Sequence, residues 1–177
     1  MKLIEIISML EDIAPPALAE EFDAGRIGLI VKGADEITEV ATALDPTPYA
    51  IRRAADGGAE LLVAHHTLIR DPVNCISDDL AERLRLLLDS RMSLYSMHTN
   101  YDNAQGGVND VLAQLTCLSR PEAIDGGRIG NVKKTKLSDF AAFAAKKLGC
   151  GVEYVGDDDM QVRRVAVVVS CVARRTP

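Results

Sequence analysis

Apolar runs too short to be helices alternate, along most of this sequence, with stretches whose apolar residues recur every three or four positions. Leu3, Ile6, Ile7, Leu10 and Ile13 fit one helical face, and Pro15-Pro16 stops that helix. Ile27 to Val31 is a short run bounded by Gly25 and Gly33, read as a buried strand, and Ile37 to Leu44 is a second, rich in β-branched residues. Thr47 is placed to cap a helix that has Pro48 at its first position and closes at Gly57-Gly58. Glu60 to Ala64 reads as a strand ending at His65-His66. An acidic helix start at Ser77, Asp78 and Asp79 follows, then a strand from Met92 to Met97 ending at His98. A polar loop, Thr99 to Gly107, leads to a helix from Val108 to Leu115. A helix from Asp139 to Leu148 is expected to be capped by Ser138 and stopped by Gly149, with strands near Val152 to Val155 and Val162 to Ser170. Strands alternating with helices in this way predict an α/β fold with a mixed sheet flanked by helices.

At 177 residues the chain is one domain's length, and no repeat or linker divides it, so residues 1–177 are read as a single domain. The Gly126-Gly127 and Lys133-Lys134 stretches are read as loops within it. Twenty basic against 26 acidic residues leave a net charge of −6, which argues against a nucleic-acid or anionic-membrane partner. No stretch is apolar for long enough to span a bilayer, and the N-terminus is interrupted by Glu5, Glu11 and Asp12 rather than built like a signal peptide. Cys75, Cys117, Cys150 and Cys171 form no CxxC pair. They are read as small, mostly buried apolar residues in a reducing cytoplasm.

In open α/β sheets ligands gather beyond the carboxyl ends of the strands. All three histidines lie at such ends: His65 and His66 after one strand, and His98, followed by Asn100, Asp102 and Asn103, after another. Imidazole and carboxylate together suit a divalent transition metal such as zinc, iron, manganese or nickel. Neighbours on an ideal strand face opposite ways. Where the pleat relaxes, each of the paired histidines could hold one of two ions, with Asp102 bridging them. Such a pair lowers the pKa of a bridging water and clamps substrate oxygens. Other motifs offer less. Asp125 to Gly130 lacks both the dinucleotide fingerprint and the Walker A lysine and is read as a turn. Asp157 to Asp159 lacks the remaining ligands of an EF-hand and is read as a hairpin-type turn. Lys133, Lys134 and Lys136 make a solvated face.

Several segments together are similar to one known family. They are Ala43 to Thr47, Leu62 to His66, His98 to Asp102, Gly106 to Asp110 and Gly127 to Gly130, preceded by Pro16 to Glu20, Phe22-Asp23 and Gly28-Leu29. The chain resembles the Nif-three-like dinuclear metal-centre proteins, whose members often bear the name GTP cyclohydrolase I type 2. The resemblance implies a Nif-three-like α/β protomer, a toroidal homohexamer and two metal ions per protomer. By position, His65 and His66 match the paired histidine ligands and Asp102 the bridging aspartate. His98 matches a histidine beside the site, either a weak ligand or a group just behind the ligands. Three departures stand out. Thr67 replaces the usual proline, Ala24 to Ile27 separate Asp23 from Gly28-Leu29, and no histidine follows His98, where the family has a C-terminal His-xxx-Glu. The ending from Cys171 to Pro177 is unlike the family's continuation, so the expectation is a C-terminally shortened version of the fold. Such a chain would hold fewer ions, and a bared sheet edge or face would invite aggregation.

The function expected from these residues is that of a cytoplasmic metal-dependent hydrolase acting on a small molecule. Metal-activated water would be the nucleophile and His98 a proton shuttle. The alternatives are a non-enzymatic metal-binding or regulatory scaffold and an inactive shortened fragment.

Overall fold

The computed structural model describes residues 1–169. By internal contacts it divides into two compact units, Met1–Tyr101 and the residues from Asp102 onward. The first begins with helix α1 (Leu3–Ile13) and two single 3-10 turns, Pro16–Leu18 and Glu21–Asp23. Strands β1 (Gly28–Val31) and β2 (Val40–Ala43), helix α2 (Pro48–Asp56) and strand β3 (Leu61–Ala64) follow, then helix α3 (Asp78–Asp89) and strand β4 (Ser93–Ser96). Strand order is β1-β4-β3-β2; β2, β3 and β4 run parallel and β1 pairs antiparallel with β4. The sheet is therefore mixed and flanked by helices, as the alternation predicts.

Local chemistry sets the helix boundaries. The Thr47 side chain accepts from Ala50 N at 3.1 Å and Pro48 occupies the first turn of α2. The Ser77 side chain accepts from Leu80 N in the same way at the start of α3, where Asp78 and Asp79 also complement the positive end of the helix dipole. One face of the sheet, Leu62, Ala64 and Leu94, packs with Ile51 and Ala54 of α2 and Leu80 and Leu87 of α3 into a single apolar core. On β4, Tyr95 is buried, and that burial, aided by the charge of Glu11, pushes its phenol up. Gly33 lies so close to the backbone of Arg91 and Met92 that an added Cβ would come within 2.1 Å of Arg91 O.

The second unit contains helices α5 (Val108–Leu115) and α6 (Leu137–Leu148) and an antiparallel meander of β5 (Ser119–Ile124), β6 (Gly127–Lys136) and β7 (Gln161–Val168). A short helix, α4 (Thr99–Asn103), runs across the division between the units in the chain. Ala113, Leu118 and Val167 form the small core of the second unit.

Several expectations are corrected here. Thr99 to Gly107 is not all loop, because its first five residues make α4. Gly126 does lie in a turn, but Gly127 and Lys133-Lys134 are not loops and belong to β6. Asp125-Gly126 is the two-residue connection of a hairpin, Gly126 taking a left-handed φ of 69°, and all three lysines lie exposed along β6. Sequence reading missed both strands because glycine and lysine are poor strand formers and β5 is exposed throughout. No strand forms at Val152 to Val155: Val155 is 99% exposed, so there is nothing for it to pack on. Asp157 to Asp159 does turn, with Asp159 N donating to Asp157 Oδ1 at 2.9 Å, but it joins no strand on its N-terminal side. Ser138 is not the cap of α6; the helix starts at Leu137, and Ser138 Oγ donates instead to Asp158 O. Gly149 does end that helix, at φ 68°. Cys75, Cys117 and Cys150 are exposed rather than buried. Cys171, the last residue of the expected final strand and the ending to Pro177 lie outside the described residues.

Two outcomes follow from the first unit. Gly33→Ala forces a backbone shift at Arg91-Met92, and urea unfolding should show a loss of about 3 kcal/mol with an unchanged m-value. Glu60 holds the approach to β2 against the start of β3. Its carboxylate accepts from Glu39 N and Thr38 N at 2.9 Å each and from the Thr38 hydroxyl, and these bonds lower its pKa from 4.5 to about 2. The stabilisation from this charge is complete above the ordinary value of 4.5 and is lost as pH falls toward about 2. Thermal melts should place Glu60→Gln below the parent at neutral pH, with the gap closing across that window.

Candidate metal centre

The parallel register aligns Ala43 with Ala64 and Ala64 with Ser96, so β2, β3 and β4 end at one level. The residues just beyond that level are Asp45, His65, His66 and His98. Strand alternation would send His65 and His66 to opposite faces. It does not, because the backbone bends at both residues. His65 N donates to Ala43 O at 3.1 Å and His66 N to Leu44 O at 2.9 Å. Two consecutive amides aimed at the same neighbouring strand cannot occur on a regular pleat. The bend brings the two rings to 5.0 Å centre to centre, with His98 at 4.9 Å from His65 and 5.6 Å from His66. One ring nitrogen from each of the three half-buried histidines lies within 4.8 Å of the others.

Carboxylates hold the His66 and His98 rings. His66 Nδ1 lies 2.6 Å from Asp45 Oδ1, at a site about half exposed. His98 Nδ1 lies 2.8 Å from Asp23 Oδ2, and the Asp23 side chain is 2% exposed. Nothing in the sequence alone marks either aspartate as a site residue, although Asp45 lies in Ala43 to Thr47 and Asp23 in Phe22-Asp23. The only available signal was position: Asp45 follows a strand in register with the one that delivers the histidine pair. Thr67, where the family has proline, donates its hydroxyl to Ile69 O at 3.3 Å and so helps close the turn after the histidines. Asp102 is 4% exposed, in α4, which starts immediately after His98, and it is the first residue of the second unit.

Other motif residues have structural work. Asp110 accepts from Gly106 N at 2.7 Å and pairs with Arg128 Nε at 2.5 Å. Burial works against its charge, but these two partners hold its carboxyl below the usual range. Arg128 also donates to Gly127 O and Asn103 O. Asn109 donates to Gly126 O and accepts from Val169 N. The segments Gly106 to Asp110 and Gly127 to Gly130 thus fasten the second unit internally.

Three imidazoles gathered just beyond the ends of parallel strands, in a mixed α/β unit, define a protein with a histidine-rich potential metal site. Comparison makes the assignment specific. Residues 1–169 match the model of the DUF34/NIF3 (NGG1p interacting factor 3) family, and the chain belongs to that family. A GTP cyclohydrolase 1 type 2 homolog of Clostridium perfringens is 34% identical over 95% of this chain and 69% of its own length. One of Methanocaldococcus jannaschii is 37% identical over 75% of this chain and 54% of its own length. The chain thus spans about half to two thirds of these relatives. Among solved structures, reduced HcgD from Methanocaldococcus jannaschii superposes with a TM-score of 0.78 at 33% identity, covering 95% of this chain and 69% of that one. A Staphylococcus aureus hypothetical protein, SA1388, shares the fold, with a TM-score of 0.86 at 24% identity, covering 95% of this chain and 71% of that one. Among the described residues no helix is long and apolar enough to cross a membrane.

Proposed function

We propose that this protein binds divalent transition-metal ions at the histidine cluster and works as a metal-dependent hydrolase of a small molecule, in the manner its relatives' GTP cyclohydrolase name suggests. The observation that supports this most is the gathering of three imidazole nitrogens within 4.8 Å, two of the rings already held by carboxylates. That donor set fits the group: neutral imidazole suits zinc, iron and nickel, and a carboxylate behind a histidine is the usual way such a ligand is oriented. His65, His66 and Asp102 would be the residues that hold the metal. A divalent ion supplies Lewis acidity that activates water near neutral pH. His98, beside the pair and held through Nδ1 by Asp23, would accept and return a proton at its other ring nitrogen. A single domain acting as a homohexamer in the cytoplasm belongs to the same reading.

The test is metal content after dialysis against metal-free buffer, run in parallel on His65→Ala and His66→Ala. We expect roughly one to two ions per parent chain and a clear loss in each variant. A parent chain without metal, indistinguishable from both variants, would overturn the proposal. Bound metal without turnover of GTP or simple phosphoesters would replace the hydrolase with a metal-binding scaffold.

A further inference from the structure

Asp23 stands far from the histidines in sequence, on a single 3-10 turn near the N-terminus, yet one oxygen of its carboxylate is the meeting point of the segment that carries His98. Oδ2 receives the Thr99 amide at 3.2 Å, the Thr99 hydroxyl, and His98 Nδ1 at 2.8 Å. The Thr99 hydroxyl in turn accepts from Glu20 N at 2.9 Å, so its own proton is committed to Asp23. His98 N is tied down separately, donating to Asn100 Oδ1 at 2.9 Å, and Asn100 Nδ2 donates to Ala14 O at 2.8 Å. The N-terminal turns and the residues after β4 are thereby locked together around one buried carboxylate.

The donors fix where the ring proton is. An amide N–H and a hydroxyl already point at Oδ2, so that oxygen has no room for a proton of its own and can only accept. His98 Nδ1 must therefore be the donor. In the neutral ring the lone pair then belongs to Nε2, the only nitrogen left to join those of His65 and His66. Asp45 makes the comparable contact to His66 from a half-exposed position, where water competes for the same hydrogen bond. Asp23, at 2% exposure, has no such competitor.

We propose that Asp23 is the positioning residue of this site. It locks neutral His98 in the Nδ1–H tautomer, so that Nε2 is presented to the cluster whether it accepts a proton or binds a metal. The consequence for metal rests on the function proposed above; the tautomer does not.

The test has two arms. Nitrogen-15 NMR of metal-free protein, labelled at histidine and held at about pH 8, where an ordinary imidazole is neutral, reports the tautomer directly. We expect His98 as Nδ1–H in the parent and as the mixture of a free imidazole in Asp23→Ala. A parent His98 that is Nε2–H or doubly protonated, or an Asp23→Ala spectrum equal to the parent's, would overturn the proposal. Asp23→Asn keeps an acceptor and the fold while removing the charge, so it serves if the alanine variant does not fold. It should retain the tautomer but bind zinc about 10–100-fold more weakly than the parent. Equal zinc affinity would count against Asp23, as would an equal loss in Thr99→Val, which removes the hydroxyl but leaves the His98 contact. A parent that binds no zinc would remove the metal reading while leaving the NMR arm to decide the role of Asp23.

Discussion

The common level at which β2, β3 and β4 end is the constraint on which the rest of the site depends. Parallel pairing without offset puts Ala43, Ala64 and Ser96 side by side, so whatever follows each strand emerges in one place. The three histidines come from positions that differ by 33 residues or fewer in sequence, but it is the register, not that spacing, that makes them neighbours. A slip of one residue in either pairing would carry an imidazole to the opposite face. The core of Leu62 and Leu94 against α2 and α3 opposes such a slip, because the same slip would turn those leucines out of it.

The carboxylates complete what the register begins. A ring at a strand end can rotate, and its two nitrogens are not equivalent once one of them is held. Asp45 comes from the end of β2 and Asp23 from the N-terminal turns, so two separate segments each contribute one restraint to the same group of rings. The Ala43 to Thr47 motif shows how much such a segment can do: it ends a strand, supplies a carboxylate to His66 and caps α2 with Thr47.

Much of this was readable beforehand. The strands of the first unit, the caps at Thr47 and Ser77, the stop at Gly149 and the placement of all three histidines at strand ends follow from local signals. What could not be read has physical reasons. Strands β5 and β6 are built from residues with weak strand preference and are identified by their pairing, which is non-local. The bend that puts His65 and His66 on one side leaves no trace in residue type. Asp23 and Asp45 are ordinary aspartates until partners 75 and 21 residues away arrive. Ser138 does not cap α6 because the helix already begins at Leu137, with Lys136 at the cap position.

Every histidine of the chain, together with Asp23 and Asp45, lies within the first compact unit, and Asp102 is the first residue past it. This division gives the site an order in time as well as in space. A ribosome that has delivered residue 101 has delivered every histidine of the chain together with Asp23 and Asp45, while the meander that follows is still to be made.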